Sequence, residues 1–137
     1  MTLNFLGLVT ALSALLGIWF GHVGVRFIER KATHLWIPIT GALLLGIVLE
    51  IWSLTTVHRP WSAVTGILGV TVLWDALEFL RQEKRLKRGH TPANPDNPRH
   101  ARILLEYPAA TPLDLLNRDP VGHPVTLDEA IKLATDH

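Results

Sequence analysis

Cysteine is missing from this chain altogether. Disulfides, thiolate metal sites, iron–sulfur ligation and a cysteine nucleophile are therefore excluded for it, and any redox chemistry would need a bound cofactor or a partner. Charge is scarce as well: 18% of residues are charged, against about 25% in an ordinary soluble domain, and most of that charge lies after Leu80. The first Lys or Arg is Arg26, so the opening apolar run lacks the basic n-region of a secretory signal. Trp19-Phe20-Gly21-His22 offers no small-residue cleavage site either, and the run is read as a retained helix. The formal net charge of +1 points to neither a nucleic-acid binder nor an acidic buffer.

Catalytic signatures are lacking too. The chain has no phosphate-cradling glycine loop, no His-Glu-x-x-His zinc helix and no serine nucleophile elbow. His90, His100, His123 and His137 are dispersed without the short spacing of zinc ligands, so no metal is expected and these histidines read as surface or partner contacts. On its own the chain is expected to be no enzyme, and at most one subunit of an oxidoreductase complex.

What is there is apolar length. Three runs, about 3–25, 35–54 and 61–88, each meet the roughly 20 residues that cross a hydrocarbon core, the last extended by the basic stretch that follows Leu80. The fold class is an all-α membrane protein: residues 1–89 form three transmembrane helices, 90–98 a Pro/Asn linker, and 99–137 a cytoplasmic tail with short helices. Arg26, Arg30 and Lys31 lie in the first loop, Arg59 alone in the second, and Arg81, Lys84, Arg85, Lys87 and Arg88 follow the third run. By the positive-inside rule this predicts a multi-pass protein of the bacterial inner membrane, N-terminus outside and C-terminus in the cytoplasm. Trp36, Trp52 and Trp61 mark the interfaces, whereas the deeper Trp19 and Trp74 are expected to pack against neighbouring helices.

Small residues recur on the first run at Gly7, Ala11, Ala14, Gly17, Gly21 and Gly24, and on the third at Ala63, Gly66 and Gly69. In lipid such stripes let helix backbones approach closely, so they predict helix packing. Beyond the linker, Thr111-Pro112 and the capping box at Thr126 predict short helices over 112–117 and 127–134. Their apolar residues, Leu113, Leu115, Leu116, Leu127, Ile131 and Leu133, are too few to form a core, so the tail is expected to order only on a partner.

Ionisable groups in a span cost about 2.5–3.5 kcal/mol each at a helix centre and so have a reason. His22, Arg26 and Glu29 share one helical spacing, and Asp75 and Glu78 another, all near the same end of their helices. An ion pair of Arg26 with Glu78 or Asp75, His22 beside it, is the expected outcome. The cluster admits three roles: a structural ion-pair network, a proton relay or quinone-headgroup site, or a haem ligand in His22. The chain has no cofactor of its own, a quinone or haem at a shared interface being the form a cofactor would take. Glu50 is expected to snorkel, or to pair with His58 or Arg59.

Several segments together resemble the bacterial domain-of-unknown-function family 4491, small three-helix membrane proteins. They are Leu3-Asn4-Phe5-Leu6-Gly7-Leu8, His22 followed by Glu29, Trp36, Ser62-Ala63-Val64 to Gly66-Ile67-Leu68-Gly69, and Leu73-Trp74-Asp75-Ala76-Leu77-Glu78. Gln82-Glu83-Lys84-Arg85-Leu86-Lys87-Arg88-Gly89 with Asn94-Pro95 completes the pattern, over about residues 1–97. The resemblance implies the three-helix topology and draws attention to His22, Glu29, Trp74 and Glu78, but implies no reaction. This chain departs from the family in having His90-Thr91 where an aromatic pair is usual, and in extending past the Asn-Pro.

Two functions stand open on the sequence. One is a small non-catalytic accessory or anchor subunit of a larger membrane complex, respiratory or redox in type, packed on a larger membrane subunit and holding a cytoplasmic subunit by its tail. The other is a small homo-oligomeric transporter or proton-conducting protein working through His22, Asp75 and Glu78. Membrane lipid is a partner in both.

Overall fold

The computed structural model describes residues 5–114 together with Asp128 and Ile131. Within residues 5–114 lie four helices: α1 (Phe5–Lys31), α2 (Trp36–Thr55), α3 (Arg59–Lys87) and α4 (Pro98–Glu106). The first three are long and apolar enough to cross a membrane, and the protein is an all-α membrane protein.

α1 continues six residues beyond the apolar run ending at 25, because Arg26 to Lys31 contains no breaker and its last turn carries Arg30 and Lys31, which suit the negative end of the helix dipole. α2 tolerates Pro38 in its first turn, where no intrahelical partner is lost. α3 opens with Pro60 in its first turn for the same reason. Its 29 residues rise about 44 Å at 1.5 Å per residue, well over the roughly 30 Å hydrocarbon core. The Arg81 to Lys87 end therefore stands out of the apolar slab.

α3 lies at the centre, with α1 packed on one side and α2 on the other. The α1 contact is a ridge at strict four-residue spacing, Ser13, Gly17, Gly21, Val25 and Glu29, all buried. A methyl group built on Gly17 would meet Thr71 at 3.2 Å, and one on Gly21 would meet Asp75 at 2.6 Å. On the other side Gly46, Gly66 and Gly69 seat Leu73, Ser53 and Glu50 respectively. Ser53 Oγ donates to Ser62 O at 2.8 Å and Ser62 Oγ donates to Ser53 O at 2.9 Å, a reciprocal clasp at the far end of α2 and α3. Gly17, Gly21, Gly66 and Gly69 thus pack helices together. Among the described residues Gly7 and Gly24 do not share that role, since nothing lies within 4 Å of a methyl group on either, while Ala11 is exposed and Ala14 half-buried. The ridge runs through every fourth residue from Ser13, a register that residue size alone does not reveal.

Trp19 and Trp74, expected to pack inside, face outward at 57% and 52% exposure. Trp74 instead lies under the Arg81 guanidinium, 4.6 Å from its ring centre.

The largest departure is α4, placed where the sequence suggests the close of a linker and a tail that orders only on a partner. Gly89 (φ 71°) ends α3 in the left-handed conformation, with Gly89 N–H bonded to Leu86 O at 3.0 Å and His90 N–H to Arg85 O at 2.9 Å. The chain then reverses and packs Ala93 and Ile103 on Leu86, with Leu104 and Ala110 beside them. The tail therefore begins to order on its own membrane helices. Thr111 Oγ1 accepts the Leu113 N–H at 3.1 Å, the expected cap bond, yet Pro112 and Leu113 form a bend and not a helix. Leu113 is exposed, and Ile131 is helical and exposed. Leu115, Leu116, Leu127 and Leu133 lie outside the described residues.

Candidate functional site

The polar centre of the molecule sits at the basic end, where α4 meets α1 and α3. An α-helix leaves its last carbonyls without intrahelical donors, and α1 has these met by a distant segment. Arg99 Nη2 donates to Glu29 O at 2.8 Å, while Asn94 Nδ2 and Asn97 Nδ2 donate to Arg30 O at 3.2 and 3.1 Å. Asn97 Nδ2 and Arg99 Nε also reach Ala32 O, at 3.0 and 3.1 Å. The Asn97 amide is used on both ends, because its Oδ1 caps α4 by accepting Arg99 N–H at 2.9 Å. A guanidinium thus stands at the negative end of the α1 dipole.

The same guanidinium ties three helices. Arg99 Nη2 lies 2.7 Å from Glu29 Oε1 on α1, and Nη1 lies 3.2 Å from Glu83 Oε2 on α3, whose Oε1 pairs with Lys87 at 2.5 Å. Side-chain exposure is 9% for Arg99 and 2% for Glu29, so this is a buried pair satisfied by several hydrogen bonds, the condition under which such a pair is tolerated.

His100 is fully buried at the centre. Asn94 N–H donates to its Nδ1 at 3.0 Å, so Nδ1 is an acceptor and the ring proton sits on Nε2, directed at Glu29 Oε1 3.1 Å away. The 2.8 Å approach of Arg99 Nη2 to Nε2 is then a meeting of two donors that share one carboxylate oxygen. His100 is a core residue and not the surface histidine that its spacing suggests.

The other expected cluster members are dispersed. Arg26 Nε turns back to His22 O at 3.2 Å on its own helix. Glu78, buried, is taken by its own helix: Arg85 Nη1 lies 2.6 Å from Oε1, in an ion pair without hydrogen-bond alignment, and Arg81 Nη1 lies 3.5 Å from Oε2. The expected ion pair of Arg26 with Glu78 or Asp75 does not form, because the i+3 and i+7 arginines on α3 reach Glu78 without crossing between helices. Asp75 packs over Gly21 instead. Glu50 does not pair with His58 or Arg59: its Oε1 is buried against Gly69 with no hydrogen-bond partner among the described residues.

Of the sequence candidates, only Glu29 belongs to the assembled centre. Arg99, His100, Asn94 and Asn97 escape a search for intramembrane charge, since they lie outside the apolar runs. Asn97-Pro98 does carry a local signal, an N-cap residue followed by proline at the first helical position. Among the described residues no three His, Asp or Glu side chains converge as a metal site.

A second feature is a groove of about 1110 Å³ between α1 and α2, floored by α3. Its walls are apolar, from Leu16, Phe20 and Phe27 on α1 to Ile37 and Leu45 on α2, with Asp75 on the floor and Lys31 and His34 at its basic-end mouth.

No curated protein and no solved structure matches the chain. The family model described as Domain of unknown function (DUF4491) matches residues 4–97, a stretch that takes in Glu29, Asn94 and Asn97 and stops two residues before Arg99. With all three spans and the turn that caps α1 inside the matched stretch, this chain belongs to the DUF4491 family.

Proposed function

We propose that the protein is a non-catalytic accessory subunit that holds a cytoplasmic partner to a larger complex in the bacterial inner membrane, N-terminus outside and C-terminus inside. The observation that carries this reading is the use of its ionisable groups. Glu29, Glu78, Glu83, Arg85, Lys87 and Arg99 pair with one another at the basic end, from which the tail departs with Leu105 and Leu113 exposed at 87% and 58%. Outside the spans, apolar side chains in water favour burial against a partner by about 25 cal/mol per Å². Leu115, Leu116, Leu127 and Leu133 extend that apolar content along the sequence. Glu78 is engaged by Arg81 and Arg85 of its own helix and does not join His22 and Asp75 in one polar cluster, which weighs against the transport alternative.

Deleting residues 115–137 spares the clamp around Arg99 and removes most of the tail. The shortened protein should insert and fold as before, while a cytoplasmic protein that co-purifies with the full chain in mild detergent is lost. Recovery of the full chain alone, or a truncated chain that keeps every companion, overturns the proposal.

Topology has its own test. The Lys and Arg side chains crowd the end carrying Arg30, Lys31 and Arg81 to Arg88, so a reporter active only in the cytoplasm should work when fused after His137 and fail when fused at Met1. The opposite pattern reverses the orientation.

A further inference from the structure

The groove between α1 and α2 is larger than the roughly 300–1,000 Å³ of ordinary small-molecule sites, and it is open where packing is thinnest. A methyl group added at Gly24 or Gly41 would find nothing within 4 Å. Asp75 in its floor makes no hydrogen bond or ion pair among the described residues, and His22 and Glu78 of its own chain act on it only through space. A carboxylate inside a span calls for a partner.

The complementary surface is on the back of the same helix. Leu15, Ile18, Trp19, His22 and Arg26 line a shallow depression on the outer flank of α1. At 3.6 residues per turn this flank lies nearly opposite the groove-facing Gly17, Phe20, Gly24 and Phe27. His22 and Arg26 are exposed there, the guanidinium reaching, among the described residues, only a backbone carbonyl of its own helix. The flank presents a guanidinium, an imidazole and bulky apolar groups; the groove presents a carboxylate without a partner among the described residues and missing side-chain volume.

Depth matches as well. Copies inserted with one orientation share depth, and Asp75 packs against Gly21, the neighbour of His22. His22 of an adjacent copy therefore arrives level with Asp75, with Arg26 about 6 Å nearer the basic end, within reach of a long side chain.

We propose that the groove receives α1 of a second copy of this chain, His22 and Arg26 of the incoming helix facing Asp75. Because flank and groove are opposite faces of one helix, the contact is heterologous, and its repetition within the plane of the membrane joins more than two copies, in a ring where the rotation between copies closes and in an open row where it does not. The assembly does not depend on the accessory-subunit reading and survives its failure.

The absence of native cysteine makes introduced cysteines unique. Two differently tagged full-length copies, one Ile18→Cys and the other Leu45→Cys, are co-expressed and oxidised in membranes. Ile18 is on the flank and Leu45 in the groove wall. The expected result is a mixed-tag dimer from this pair and none from Ile18→Cys with Leu44→Cys, Leu44 being exposed on α2 outside the groove. A single chain carrying both Ile18→Cys and Leu45→Cys should give a ladder above the dimer. Asp75→Asn, which keeps the shape against Gly21, should lower the mixed-tag yield about threefold, the usual worth of one polar contact between membrane helices. The proposal is overturned by no cross-link, by Ile18→Cys pairing with itself, by an undiminished yield in Asp75→Asn, or by native mass spectrometry that finds a monomer with a phospholipid retained.

Discussion

Replacing Arg99 with alanine should release α4 from the membrane helices and cost about 3–5 kcal/mol of stability, the range for removing one partner of a buried ion pair. Most of that cost comes from what remains behind. Glu29, with a side chain 2% exposed, is left with only His100 as a donor, and the carbonyls of Glu29 and Ala32 each lose a guanidinium hydrogen bond. Lysine at 99 should rescue little. One ammonium cannot present Nε to Ala32 O, Nη1 to Glu83 and Nη2 to Glu29 at once, as the planar fork does. The checks are thermal unfolding in detergent and limited proteolysis of residues 89–110, which should become cleavable in Arg99→Ala while the spans stay protected. A variant as protease-resistant and as heat-stable as the parent would mean that the clamp does not hold α4. Deletion of everything after Pro98 should reproduce the same loss, so such a truncation would confuse destabilisation with partner release.

Gly46→Ala should destabilise the α2–α3 contact by about 1–3 kcal/mol, the usual cost of overpacking. The added methyl carbon would stand 2.5 Å from Leu73 Cγ and 3.0 Å from Gly69 O. Leu73 can turn aside in part. The Gly69 carbonyl belongs to a helix backbone and moves only if α3 moves, which would also pull on the Ser53–Ser62 clasp and on Glu50. Gly7→Ala is the control, since nothing lies within 4 Å of the new methyl and alanine is the better helix former. Opposite signs for one chemical change at two helical glycines, read as denaturant midpoints in detergent, are the expected outcome. Equal effects would mean that the α2–α3 interface is looser than its geometry.

These expectations separate what was legible along the chain from what was not. The three spans follow from a sum over neighbouring residues: each apolar side chain adds its own transfer energy, no distant residue can alter the total, and the helix is the one open-ended way to satisfy a backbone in lipid. The reversal after α3 was equally local, written in Gly89 and the prolines and asparagines that follow. Even α4 leaves a local mark in Asn97-Pro98, masked by the run of helix breakers that precedes it.

Pairing was different. Glu29 and Arg99 are 70 residues apart, and nothing near either one names the other. Which of Arg26, Arg81, Arg85 and Arg99 meets which of Glu29, Asp75, Glu78 and Glu83 depends on the direction each side chain leaves its helix and on the depth to which the chain returns after Gly89. Small residues pose the same problem, as Gly21 and Gly24 differ by three positions yet one touches α3 and the other faces the open groove. Length and hydropathy are additive along the chain and so can be read from residue order, whereas ion pairing and close packing fall off within a few ångströms in space, a distance that exists only once the helices have been brought together.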